Sequence, residues 1–189
     1  MTTVPLTLEE IFHLAKNTLI ANGCDEETAD TLSTLIKNAE RDGSLSHGLF
    51  RLPAYISGLK SGKINGKARP VISKLTASVV KADGKNSLAP MVLKYGIPEL
   101  VKAAKENGVA VLAITNSHHM AAMWPETEAI AEQGLVAFAC TSYKPAVAPA
   151  GAIKPLFGTN PISFAWPRKN KPPVVCLLYT SDAADEEDS

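Results

Sequence analysis

Apolar residues recur at helical spacing through the first sixty positions. Leu8, Ile11, Phe12, Ala15 and Leu19 fall on one face, Thr7 and Glu10 form the two ends of a capping box, and Gly23 supplies a stop. A second helix opens at Asp25, where Glu26 and Glu27 suit the positive dipole end, and its stripe is Ala29, Leu32, Leu35, Ile36 and Ala39. The pattern then breaks into a polar run, Arg41 to Gly48. Leu49, Leu52, Ile56 and Leu59 resume it as a short third helix ending at Gly62. Lys63 to Pro70 is a Lys, Gly and Asn linker, so residues 1–70 read as one helical region.

Beyond the linker the pattern changes to β-branched runs. Thr76–Val80, Val109–Thr115 and Leu135–Thr141 predict buried strands. Ser87–Asn107 and Ala121–Gln133 predict the helices between them, the former interrupted at Pro90 and Pro98. Gly151–Pro167 reads as a loop with a strand at Pro161–Ala165. The alternation defines an α/β fold class.

Composition narrows the possibilities. With 46% hydrophobic and 20% charged residues in 189, the chain is too apolar for intrinsic disorder. No stretch approaches the roughly 20 apolar residues that span a bilayer, and Glu9 and Glu10 follow the N-terminus where a signal peptide would be basic and then apolar. The expectation is a cytoplasmic protein with no membrane partner. Cys24, Cys140 and Cys176 are far apart and form no CxxC pair. The net charge is zero, but Asp182, Asp185, Glu186, Glu187 and Asp188 load the end of the chain with acid. The remaining body is mildly basic, which suits small anions, and it lacks the Lys/Arg stripe of a nucleic-acid binder.

Several chemistries lack their motifs. There is no GxGxxG, no GxxxxGK[ST] and no GxSxG. His13, His47, His118 and His119 show no chelating spacing, so no metal is expected. His47 and Arg51, four apart, would share a helix face if the third helix began near His47. Arg can clamp a carboxylate and His can move a proton at a neighbouring atom, which suits a 2-oxo or 2-imino acid. The alternative is that Arg51 pairs with a surface acid and His47 caps the helix. Small residues within Asn116–Pro125 would let a flat ligand or its phosphates approach a helix N-terminus. Equally, Met120, Met123 and Trp124 suit a core. Gly158-Thr159-Asn160-Pro161 exposes a hydroxyl at a turn, and turn chemistry alone also explains it.

Three blocks in order resemble the type 2 malate/L-lactate dehydrogenase family of NAD(P)-dependent oxidoreductases. They are Ser46-His47-Gly48 with Arg51, Pro53 and Tyr55; the His119 block before Glu132-Gln133-Gly134-Leu135; and Pro149 through Gly158-Thr159-Asn160-Pro161. Ala122-Met123-Trp124-Pro125 and Lys154-Pro155-Leu156-Phe157 look most like the branch that reduces Δ1-piperideine-2-carboxylate and Δ1-pyrroline-2-carboxylate. The resemblance implies a non-Rossmann NAD(P)-binding α/β fold, a homodimer, and NADPH, with NADH the alternative. It assigns proton donation to His47, relay to Ser46, substrate carboxylate binding to Arg51 and a further substrate contact to Thr159. His119, Met120, Ala121, Ala122 and Met123 would line the cofactor site. Relatives carry Phe-Gly where this chain has Met120-Ala121, and the Ala121 methyl narrows the approach.

On this reading 71–175 is a partial NADPH-binding domain. The resemblance ends near Val175, and 176–189 reads as the translation of a sequencing adapter, with an acidic disordered tail as the alternative. The relay aspartate would then lie beyond the chain, and the polypeptide as written is expected to have little or no activity. Two other functions stay open: an NAD(P)-dependent 2-hydroxy acid dehydrogenase, acting on malate, lactate or ureidoglycolate, and a non-catalytic α/β binding module.

Overall fold

The computed structural model describes residues 4–118 and 121–179. The chain divides between Ala122 and Met123 into two compact units, a different division from the boundary at residue 70 expected from the linker.

The first unit begins with α1 (Leu8–Ala21) and α2 (Glu26–Arg41). Both start where side-chain chemistry dictates. Thr7 Oγ1 accepts from the Glu10 amide at 3.2 Å while Glu10 Oε2 accepts from the Thr7 amide at 2.8 Å. Asp25 Oδ1 accepts from the Thr28 amide at 2.9 Å. Ile11, Ala15, Leu19, Ala29, Leu32 and Ile36 bury the facing stripes, joined by Leu52 and Tyr55 of α3 (Leu52–Lys60) and by Leu88. Two single 3-10 turns, Leu45–His47 and Leu49–Arg51, link α2 to α3.

The expected linker ends in a strand. β1 (Val71–Lys74) pairs antiparallel with β2 (Val79–Leu88), which pairs parallel with β3 (Val111–His118). β2 continues past the β-branched run because residues 80–83 have partners on both sides, and after an irregularity between Asp83 and Ser87 the strand rejoins β3 at Ser87 and Leu88. It leads without a loop into α4 (Ala89–Asn107), a single helix rather than an interrupted one. Pro90 lies in the first turn, whose N–H groups have no intrahelical acceptor in any case. Pro98 stays inside at the loss of one backbone bond. β3 is not buried as expected: Val111 is 56% exposed.

The second unit is α5 (Trp124–Ala131) on an antiparallel sheet of β4 (Ala137–Cys140), β5 (Ile162–Arg168) and β6 (Lys171–Leu178), with β5 central. β6 occupies residues for which no strand was expected, and its Pro172 and Pro173 are tolerated because the strand lies at an edge. Alternation divides the sheet cleanly. Ala137, Ser163 and Ala165 are buried, and Thr127 Oγ1 of α5 bonds Ser163 Oγ at 2.7 Å. Phe138, Cys140, Ile162, Phe164, Trp166, Val174, Cys176 and Leu178 are exposed on the opposite face.

Among the described residues, no helix is long and apolar enough to cross a membrane, and no group of three His, Cys, Asp or Glu could hold a metal ion.

Candidate active site

Ser46, His47 and Arg51 all lie between the end of α2 and the start of α3. Gly43, at φ +75°, turns the chain out of α2, and the Ser44 amide donates to the Ala39 carbonyl at 2.8 Å. The first 3-10 turn then carries Ser46 and His47, and the second ends in Arg51.

His47 and Arg51 do not share a continuous helix. Gly48, at φ −86° and ψ −136°, breaks the path between the two turns. The expected i, i+4 relation therefore fails, and the position of one side chain relative to the other depends on the backbone at Gly48. This corrects the sequence argument while leaving both residues in one short segment.

His47 is half-buried and its Nδ1 meets two hydroxyls, Ser46 Oγ at 3.0 Å and Ser44 Oγ at 3.4 Å. Nδ1 can accept from one of them or donate to one, according to tautomer. Either arrangement orients the ring. Ser44 was not singled out in the sequence; the signal available was a hydroxyl three residues before a histidine, a spacing that a single turn closes.

Arg51 pairs with no acid among the described residues, and no side chain caps α3, so the bland alternative for this pair also fails. Its Nε is sealed from solvent with no hydrogen-bond partner. A buried guanidinium nitrogen without an acceptor carries a desolvation cost of about 1–3 kcal/mol or more, which an anionic ligand would relieve. Nearby, burial pushes the Tyr55 hydroxyl up to about 12, with the Arg51 charge opposing. Tyr55 therefore stays neutral and does not compete as an anion for the guanidinium.

The remaining candidates belong to other segments of the chain. Thr159 is half-buried in a loop folded on itself: the Tyr143 amide donates to Asn160 Oδ1 at 3.0 Å, and Gly158 passes so close to the Tyr143 carbonyl that a side chain would collide with it. His119 and Met120 lie outside the described residues. Ala121 is half-buried, while Ala122 and Met123 are buried, with Met123 at the N-cap of α5. That helix end does not favour a phosphate. Glu126, buried in its first turn, already brings a carboxylate to the positive dipole end. The β2–α4 junction has no loop to cradle one either, in keeping with a fold unlike Rossmann's. A pocket of about 360 Å³ lined by Glu132, Arg168 and Lys171, among others, includes none of the expected site residues.

The malate/L-lactate dehydrogenase family matches residues 6–186, past the Val175 at which the sequence reading ended the resemblance. The chain is 43% identical over 182 residues to a Δ1-pyrroline-2-carboxylate/Δ1-piperideine-2-carboxylate reductase of Pseudomonas syringae pv. tomato, covering 96% of this chain and 53% of that protein. It is 41% identical to a Δ1-pyrroline-2-carboxylate reductase of Ancylobacter novellus, covering 97% and 54%. Among solved structures, the Δ1-piperideine-2-carboxylate reductase of P. syringae aligns with a TM-score of 0.87 at 41% identity, covering 98% of this chain and 58% of that one. A malate dehydrogenase of Pyrococcus horikoshii aligns at 0.85 and 29%, covering 94% and 51%. The chain thus spans about half the length of the curated relatives it matches. With the family matching residues 6–186 and relatives more than 40% identical along nearly the whole chain, the chain belongs to the malate/L-lactate dehydrogenase family.

Proposed function

We propose that this protein is an NADPH-dependent reductase of cyclic 2-imino acids, converting Δ1-piperideine-2-carboxylate to L-pipecolate and Δ1-pyrroline-2-carboxylate to L-proline. The observation that carries the reading is the buried, unpartnered Arg51 Nε in the same segment as an imidazole held by two hydroxyls. The relatives' names point to the same substrates.

Arg51 binds the substrate carboxylate, where a planar guanidinium gives two parallel bonds and fixes the ring's orientation. Hydride adds to the imine carbon, the C=N electron pair moves to nitrogen, and that nitrogen takes a proton from His47. The Ser46 and Ser44 hydroxyls hold Nδ1 and so orient the imidazole. A nicotinamide cofactor supplies the hydride when bound. The described residues form no complete cradle for its phosphates, and NADPH rather than NADH follows from the family resemblance. In the same reading the protein works as a homodimer in the cytoplasm.

The likeness to malate dehydrogenases favours a second reading, reduction of open-chain 2-oxo acids, in which carbonyl oxygen takes the proton. Rates of NADPH oxidation separate the two, measured on the chain extended to the length of its relatives. Δ1-Piperideine-2-carboxylate turns over faster than pyruvate or oxaloacetate if the first reading holds, and the reverse order overturns it. His47→Ala lowers turnover about 10²-fold or more; a binding module would show no turnover to lose.

A further inference from the structure

We propose that Glu40 is a positioning residue for this site: its carboxylate pins the backbone where the turn carrying His47 passes into the turn carrying Arg51. The inference rests on the imino-acid reading for its purpose and on geometry for its substance.

Glu40 sits in the last turn of α2, half-buried. An acid there faces the negative end of the helix dipole, so its placement is electrostatically unfavourable and needs compensation. The compensation visible in the structure is one bond across nine residues. The Leu49 amide donates to Glu40 Oε1 at 2.7 Å, the short length of a charge-assisted bond. Glu40 makes no ion pair among the described residues, although Arg41 beside it pairs with Asp42.

Gly48 confirms how closely the two segments approach. It is buried, and a Cβ built on it would run into the Glu40 carboxylate. A side chain at this position would displace the carboxylate. Gly48 is also the break between the two turns, so its dihedral angles decide how the imidazole of His47 and the guanidinium of Arg51 are mutually aimed. The carboxylate acts on the residue immediately after that break. Without it, the two turns keep their internal bonds, His47 N–H to Ser44 O and Arg51 N–H to Gly48 O, but the amide that follows the break loses its side-chain acceptor.

Glu40→Gln and Glu40→Ala, made in the 189-residue chain, test this. Both remove the charge, but only Gln keeps an acceptor for the Leu49 amide, so the difference between them reports the hydrogen bond alone. The readouts are the titration midpoint of the His47 imidazole by NMR and the affinity for Δ1-piperideine-2-carboxylate. We expect Gln to stay within about twofold of the parent in affinity and Ala to weaken it about tenfold, with the His47 midpoint of Ala displaced from that of Gln. Identical behaviour of the two variants in both measurements overturns the proposal. If the parent does not bind the imino acid, the substrate reading fails, while the two His47 midpoints still decide the positioning role. Should Glu40→Ala not fold, Glu40→Asp replaces it: the charge remains but the reach to Leu49 is lost. A displaced His47 midpoint then supports the proposal, and a parental one overturns it.

Discussion

The helical part of the first unit and the sheet of the second solve the same problem differently. Helices α1, α2 and α3 each bury one stripe, and the stripes face one another, so Leu19, Leu32, Ile36 and Tyr55 are all at most 2% exposed. A sheet has two faces and needs a layer on each. The β4–β5–β6 sheet has α5 on one, over a core of Ala131, Ala137 and Ala165, while aromatic and aliphatic side chains stand exposed on the other. A self-sufficient helical core can hold a precise turn such as the one carrying His47 and Arg51. A sheet with an exposed apolar face holds little beyond its own ladder.

Cysteine chemistry exposes the contrast most sharply. Cys24 is buried and burial, aided by the Asp25 charge, pushes its thiol up to about 11, whereas Cys140 and Cys176 lie exposed on the open sheet face. Iodoacetamide should label the latter two at least about a hundredfold faster than Cys24 in the folded chain. Mass spectrometry of the labelled peptides checks this, and equal rates would remove the distinction between the two regions.

Truncating side chains gives the next largest effect. Leu32→Ala, in the helical core, should cost about 2–5 kcal/mol in urea unfolding. Phe138→Ala, on the sheet face where the ring is 64% exposed, should cost less than about 1 kcal/mol and reduce binding of an apolar dye. A Phe138 cost equal to that of Leu32 would mean that the sheet face is covered.

The smallest effect concerns the start of α2. Burial raises the Asp25 carboxyl, but the Thr28 amide and hydroxyl and the Arg69 guanidinium at 2.8 Å outweigh it and hold the group below the usual carboxylate range. A depressed folded-state value means the stabilisation is present above the unfolded value and is lost as pH falls through the folded one. Asp25→Asn should therefore destabilise by about 1 kcal/mol at neutral pH, and the gap between variant and parent should close below about pH 4. Urea midpoints measured across that range decide it.

Local signals were legible in the sequence and non-local ones were not. The Thr7 to Glu10 box and the Asp25 cap lie within three residues of their partners, and both helices begin where those residues indicate. The strand continuing through Lys81 and Asp83 was hidden because its stability comes from neighbours on either side, and β6 was hidden by Pro172 and Pro173, which only an edge position permits. At the site, Ser46 and His47 stand out as adjacent residues and are in contact. The helical spacing from His47 to Arg51 misled, because a glycine whose ψ departs from the helical value interrupts it. Glu40 escaped notice altogether, since its role depends on a bond to a residue nine positions away.

The central claim is that Arg51 grips the carboxylate of a cyclic imino acid. Arginine Nε–H groups are resolved by NMR, and the chain has four: Arg41, Arg51, Arg69 and Arg168. Titration with Δ1-piperideine-2-carboxylate should move the Arg51 Nε–H resonance downfield to saturation while the other three stay in place, because that buried donor gains its acceptor. An Arg51 resonance that stays still, or that moves no more than those of the surface arginines, would contradict the account.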